Sequence, residues 1–113
     1  MQKKVLEISF VVVSRFDADP SILSVTAVGK VPSLGWSKPR LVPYQYEEYP
    51  EDGYFHFDFI ADAPESMAPE IKNLVVAHFD WNPMEKGVKG VVIHSSLDSV
   101  QKELDPACIY NLS

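Results

Sequence analysis

The chain has one cysteine, few basic residues and no long apolar run, and each shortage excludes a class of protein. Cys108 is the only cysteine, so no disulfide can form within the chain. The 16 acidic residues outnumber the 10 lysines and arginines. This argues against nucleic acid as a partner, because phosphate binding uses clustered basic side chains. No segment is long and apolar enough to cross a bilayer. We therefore predict neither a nucleic-acid nor a membrane partner.

Signatures of the common catalytic families are also missing. There is no G-x-x-x-x-G-K, no G-x-S-x-G and no H-E-x-x-H motif. Cys108 has no basic helix start beside it, which predicts a half-buried apolar residue rather than a nucleophile. We predict no catalytic residue and no cofactor.

The length and the start of the chain bear on its organisation. The chain has 113 residues, and 46% of them are apolar. This length and composition predict one domain, residues 1–113, whose core needs no disulfide or metal to stabilise it. Two lysines precede an apolar run, as in a signal peptide. However, Glu7 and Ser9 interrupt that run and no small-x-small cleavage site follows. The sequence as given favours a cytoplasmic location, although a chain whose leader had been removed would look the same.

Apolar residues recur at every second position, which is typical of strands. The clearest segment is "GYFHFDFIA" (residues 53–61), in which Phe55, Phe57 and Phe59 share one face and predict the central core. Residues 72–82 repeat the design with Val75, Ala77, Phe79 and Trp81 inward, and Phe79 and Trp81 are predicted to complete the central core. Six or seven such segments, separated by regular turn signals, predict an all-β antiparallel sandwich of about seven strands, immunoglobulin-like in general architecture.

Five other segments belong to this prediction, and residues 23–31 and 89–95 are two of them. Residues 4–14 predict one strand in which Leu6, Ile8, Phe10 and Val12 share a face. Residues 40–46 predict a strand at a sheet edge or broken at Pro43, because proline cannot donate to a ladder. Residues 97–105 are too short to hold a helix alone, so we predict a last strand there.

The tripeptide His-Phe-Asp occurs twice and offers a candidate metal site. Within each copy the histidine and the aspartate share a face, so His56 with Asp58, and His78 with Asp80, present zinc-type ligands. His94 is a candidate third ligand. If the two strands were neighbours in one sheet, His56 would lie opposite His78. We favour the alternative, in which "ADAPESMAPE" (residues 61–70) crosses between sheets and separates the copies, because its length and two prolines are poor hairpin chemistry.

The turn-rich stretch from residue 28 to 50 contains the candidate ligand-binding residues. Trp36, Arg40, Tyr44 and Tyr49 are of the types enriched at binding hot spots, and aromatic rings also stack on sugars. Against this, tryptophans of small β domains are more often buried, so the sequence favours a structural role for Trp36.

Two resemblances include residues of this stretch. The segments "GWSKPRLVPY" and "GYFHFDFIA" resemble a pattern of small uncharacterised bacterial β-sandwich proteins, which implies a sandwich but no activity. The matching residues are Gly35, Trp36, Pro39, Arg40, Leu41, Pro43, Gly53, Phe57, Asp58, Phe59 and Ala61. "VPSLGWSKP" is also similar to the Gly-x-Trp loop of starch-binding domains. Here the usual asparagine before the tryptophan is absent and a second binding tryptophan has no counterpart, so the starch-binding function is not carried over.

These observations predict a non-catalytic binding or interaction module, monomeric or homodimeric. The sequence does not identify its ligand, and a protein and a carbohydrate are the candidates. One alternative is a metal-dependent protein or enzyme that uses the His/Asp pairs. Another is an inhibitor-like module that presents "VPSLGWSKP" or "NPMEKG" to a protein partner.

Overall fold

A computed structural model describes residues 2–15, 22–45, 48, 51–81 and 88–103. These residues form strands and no helix, which confirms the all-β class; none of them could cross a membrane as a helix. The strands are β1 (Gln2–Lys4), β2 (Glu7–Arg15), β3 (Leu23–Val31), β4 (Ser37–Pro43), β5 (Tyr54–Asp62), β6 (Asn73–Trp81), β7 (Gly90–His94) and β8 (Ser99–Glu103). The eight strands make two packed sheets, where about seven strands were predicted.

The smaller sheet, sheet B, is antiparallel and runs β2-β3-β6. The larger sheet, sheet A, contains the other five strands. Residues 60–62 of β5 pair with β1 and also with β4, so these two strands lie at opposite edges of β5. β7 pairs with residues 54–58 on the β1 side, and β8 pairs with β7.

Sheet A is mixed, whereas an antiparallel sandwich was predicted. The exception is the pair β5–β7, which is parallel. The chain leaves sheet A after β5, forms β6 in sheet B and returns as β7. Because it reverses direction at each crossing, β7 runs the same way as β5. The prediction that residues 61–70 cross between the sheets is thus confirmed.

The core lies between the sheets and centres on the aromatic residues of β5. Phe57 and Phe59 are fully buried and Phe55 is almost so, which confirms their predicted inward face. Phe57 lies edge-on to Phe79 and Trp81, with ring centroids 5.3 and 5.6 Å away. These arrangements are the favourable ones for aromatic pairs. Phe79 and Trp81, which were predicted in the central core, are only partly buried and pack against it.

The first predicted strand is broken and its faces are partly exchanged. It is divided into β1 and β2 at Val5 and Leu6, which accounts for the extra strand. The register of β2 then shifts by one residue between Ile8 and Phe10. Since side chains alternate, one extra residue moves the following ones to the opposite face. Val11 is therefore buried while Phe10 is 54% exposed, so the face predicted from Leu6 to Val12 is wrong beyond Ile8.

Strand β4 occupies one edge of sheet A and ends at Pro43, as predicted for a strand interrupted by proline. It begins earlier than predicted, at Ser37. A register shift between Ser37 and Arg40 accommodates Lys38, which has a positive φ of 51°, and Pro39. This bulge absorbs the proline without breaking the strand. The last strand, predicted within residues 97–105, is confirmed as β8.

Candidate functional site

The predicted binding residues lie at two places. Trp36 precedes β4 and Tyr44 follows it, so the strand holds them about 25 Å apart at ~3.3 Å per residue. Arg40 lies between them in β4. Tyr49 is outside the described residues. A single ligand of ordinary size therefore cannot contact both Trp36 and Tyr44.

Trp36 lines a groove of about 550 Å³ at one end of the sandwich. Its walls come from β1, from the β3–β4 connection and from the β5–β6 connection. The lining residues are Lys3, Pro32, Ser33, Trp36, Ala63, Pro64, Ser66, Met67, Ala68, Glu70 and Lys72. Both connections cross between the sheets, so the groove forms where two crossings meet. Its volume is within the range of small-molecule sites.

The Trp36 indole is fixed from two sides. It is half-buried and packs against the core, and its Nε1 donates to Ser33 Oγ at 3.1 Å. The two crossing connections are joined by a hydrogen bond from Leu34 N to Pro69 O at 3.1 Å. Gly35 adopts a φ of 88°, and a Cβ there would lie 3.1 Å from Pro64 Cβ. The groove wall is thus held in place by backbone geometry as well as by packing.

The charges around the groove differ from those of the whole chain. Lys3 and Lys72 line it together with Glu70, which gives the groove a net positive charge on a protein of net charge −6. Ser33 and Ser66 add hydroxyl groups. A flat indole beside short polar groups and two ammonium groups suits a ligand with many oxygen atoms.

Arg40 acts as a structural link on the outer face of sheet A. Its guanidinium donates to Lys38 O at 2.8 Å, to Gln2 Oε1 at 2.9 Å and to Asp62 Oδ1 at 3.2 Å. These contacts join β1, β4 and β5. Because these donors are engaged within the fold, we assign Arg40 a structural role in sheet A rather than a role in ligand binding.

The other end of β4 carries a cluster of aromatic rings. Nδ1 of His56 and Nε2 of His94 are 2.8 Å apart, and the ring centroids are 5.0 Å apart with an interplanar angle of 12°. So short an N···N distance at that centroid separation means that the imidazoles lie edge to edge in nearly one plane. The ring centroid of Tyr44 lies 5.6 Å from the centroid of each imidazole. The Tyr44 hydroxyl donates a hydrogen bond to Asp58 Oδ1 at 3.0 Å.

This geometry favours a shared proton over a shared metal ion. The facing nitrogens of His56 and His94 point at one another, so one must donate an N–H and the other accept. Their lone pairs do not converge on a third point. Among the residues that the structure describes, no group of three His, Cys, Asp or Glu side chains is placed to hold a metal ion.

The second His-Phe-Asp copy lies on the outer face of sheet B. His78 Nε2 contacts Asp80 Oδ1 at 2.6 Å, and its Nδ1 contacts Thr26 Oγ1 at 2.9 Å. This is an Asp-His-Thr relay, but it lies on an exposed sheet face rather than in a cleft. His56 and His78 are in different sheets and cannot bind one metal ion together. This agrees with the prediction that residues 61–70 separate the two copies.

The His56–His94 pair predicts a pH dependence. Burial lowers the pKa of His94 below its usual 6.5, and the neighbouring His56 lowers it further; Asp58 raises it and Lys4 lowers it. The unfolded chain therefore takes up a proton at a higher pH than the folded one. We expect the free energy of unfolding to decrease as the pH falls through about 6.5.

Thermal melts between pH 8 and pH 5 test this expectation. His94→Gln retains a polar side chain but cannot titrate, so it should flatten the profile. His78→Gln is the matched control, because it makes the same substitution in the other sheet, away from the His56–His94 pair. An unchanged slope in His94→Gln would contradict the assignment.

Sequence reasoning missed two parts of these sites. It did not place the β5–β6 connection against Trp36, although prolines and small residues there indicate a tight crossing. Nor did it pair His94 with His56, because their contact depends on the parallel pairing of β5 and β7. The sequence named His94 as a candidate third ligand, but the run of apolar residues before it in β7 does not alternate and so could not place it beside His56.

No protein-family model, curated protein sequence or solved structure matches the chain.

Proposed function

We propose that this protein is a non-catalytic binding module whose ligand occupies the groove beside Trp36. The observation that carries the proposal is the half-buried indole in the wall of a groove of about 550 Å³. One part of the indole packs against the core, which fixes the orientation of the ring. The other part faces the groove and is available to contact a ligand. A preformed aromatic wall with a few polar groups is typical of small-ligand sites.

A carbohydrate is the ligand class that this groove fits best. An indole face takes the apolar side of a sugar ring, while Ser66 supplies a donor and an acceptor and Glu70 supplies acceptors for hydroxyl groups. The Ser33 hydroxyl is engaged with Leu34 O and Trp36 Nε1 and holds the indole in place. Lys3 and Lys72 favour a sugar that carries carboxylate or sulfate groups. A protein partner, the other class considered, would more typically use a flatter and larger surface.

Intrinsic fluorescence provides the test, in a Trp81→Phe background that leaves Trp36 as the only tryptophan. Neutral and acidic oligosaccharides are titrated, and Trp36 emission is followed with and without a soluble quencher. We expect a saturable spectral change and reduced quenching with a bound sugar. Trp36→Ala should weaken binding by at least about tenfold, as truncation of a hot-spot residue does.

Two further variants make the result specific. Ser66→Ala removes a polar group of the groove with little change in packing and should weaken binding several-fold. Tyr44→Ala changes an aromatic residue at the other end of β4 and should leave the affinity unchanged. If Trp36 emission is already blue-shifted and resists quenching without ligand, the indole is closed off and the groove is not the site.

The alternatives have less support from the geometry. "VPSLGWSKP" is tied to the β5–β6 connection through Leu34 and Pro69, and its tryptophan points partly inward, which is unlike a protruding inhibitory loop. "NPMEKG" lies outside the described residues. Chemistry by the His/Asp pairs would need each copy to act alone, since they lie on different sheets.

The immunoglobulin-like architecture is also a proposal. Two face-to-face sheets, joined by connections that cross between them, support it. The parallel pair β5–β7 and the division of β1 from β2 are the features in which this sandwich departs from a purely antiparallel arrangement.

A further inference from the structure

The outer face of sheet B has an apolar band between two charged ends. Across β2, β3 and β6, residues in register form four rows. The rows, from one end to the other, are Glu7–Lys30–Leu74, Phe10–Val28–Val76, Val12–Thr26–His78 and Ser14–Ser24–Asp80. The two middle rows hold most of the apolar side chains, so the band crosses all three strands.

These apolar side chains are extensively exposed. Leu74 is 58% exposed, Phe10 and Val76 are each 54% exposed, and Val12 is 50% exposed. Single exposed apolar residues are normal, but a contiguous group in one sheet face marks an interaction surface. None of these apolar residues lines the groove beside Trp36, so the apolar band is separate from the proposed ligand site; Lys72 lies between the two and lines the groove.

We propose that this face binds a second copy of the chain. We place the second copy by a two-fold rotation about an axis that lies in the interface and is perpendicular to the strands. This rotation reverses the order of the rows in the second copy. The Phe10 row then packs on the Val12 row of the second copy. The Lys30 row packs on the row that contains Asp80, and the same contact occurs at the other end. A two-fold arrangement of this kind satisfies both halves of one interface with one surface.

Charge complementarity supports this occupant and this direction. At one end of the face, Lys72 Nζ lies 3.9 Å from Glu7 Oε1, and these two opposite charges balance. Lys30 then leaves that end with a net positive charge. At the other end, Asp80 is the charged residue among the described row members. Reversed rows bring Lys30 toward Asp80, whereas unreversed rows would oppose Lys30 with Lys30. The reversed packing therefore avoids a like-charge contact.

The size of the face predicts a weak dimer. Three strands and four rows cover about 15 Å by about 25 Å, or roughly 400 Å² in projection. Stable complexes usually bury about 800 Å² on each partner. We therefore expect a monomer–dimer equilibrium that depends on concentration, rather than a permanent dimer.

Sedimentation velocity from micromolar to millimolar concentration tests the proposal. We expect the wild-type chain to shift from monomer to dimer, and Val76→Lys to weaken the dimer at least about tenfold by placing a charge in the apolar band. Leu97→Lys is the matched control: Leu97 is 67% exposed, outside this face, and the change of charge is the same. It should leave the equilibrium within about twofold of wild type.

A charge exchange tests the direction. Lys30→Glu should weaken the dimer several-fold at low salt, and adding Asp80→Lys should restore it. A wild-type chain that stays monomeric at millimolar concentration overturns the proposal, as does a dimer that Val76→Lys leaves intact. Retention of the monomer by lipid vesicles, lost in Val76→Lys, would assign the face to a membrane surface instead. If the exchange fails to restore the dimer, the reversed arrangement is wrong.

Discussion

Replacing Phe57 with alanine is expected to lower the free energy of unfolding by about 3–5 kcal/mol, the range for large core truncations. The side chain is fully buried and sits at the centre of an aromatic group with Phe79 and Trp81. Its removal leaves a cavity between two sheets whose spacing is set by many other contacts, so the site cannot collapse fully. Urea denaturation followed by circular dichroism measures the change.

Phe10→Ala is the matched control for this experiment. It removes the same side chain, also from a strand, at a position that is already 54% exposed. We expect a loss below about 1 kcal/mol, since little apolar area returns to water. Both variants are compared at micromolar concentration, where self-association through sheet B contributes little. If Phe57→Ala melts within a degree or two of the wild type, the assigned faces of β5 are wrong.

The strands that the sequence predicted well are those in which periodicity is undisturbed. In β5 and β6 every second residue is apolar, and burial follows that pattern from Phe55 to Phe59 and from Val75 to Ala77. Alternation in these strands is a direct consequence of the geometry of a sheet with one face buried. The crossing after β5 was also predictable, because proline-rich connections of that length seldom close hairpins.

The parts that could not be predicted depend on pairings between distant segments. Three adjacent valines in β2, residues 11–13, fit either face equally well, so alternation could not locate the extra residue before them. The bulge in β4 and the parallel β5–β7 pair are likewise properties of two strands together. A sequence pattern read along one strand contains no information about its neighbour.

The candidate site shows the same division. The sequence singled out Trp36 by residue type and weighed packing against ligand binding for it. The structure gives it both environments, since the ring is half-buried and lines a groove. The distance between Trp36 and Tyr44 follows from their positions at opposite ends of β4, which required its earlier start at Ser37.

Gly29→Ala is expected to destabilise the protein by about 1–3 kcal/mol, as overpacking of a core does. A Cβ at this position would lie 2.7 Å from the carbonyl oxygen of Glu7 and 3.0 Å from Cε2 of Phe59. The ring of Phe59 is fully buried and cannot move away freely. The Glu7 oxygen is backbone next to the β2 bulge, so relief there requires a shift of the strand.

Two further variants separate these contacts in thermal and urea melts. Lys30→Ala changes the exposed neighbour and should cost below about 0.5 kcal/mol, as surface substitutions usually do. Combining Gly29→Ala with Phe59→Leu relieves the ring contact but leaves the Glu7 contact. The double variant should therefore lose less than the sum of the two single losses, because residues in contact are energetically coupled. Wild-type stability in Gly29→Ala would show that β2 and Phe59 lie farther from Gly29, and additive losses would show that the ring contact does not limit the packing.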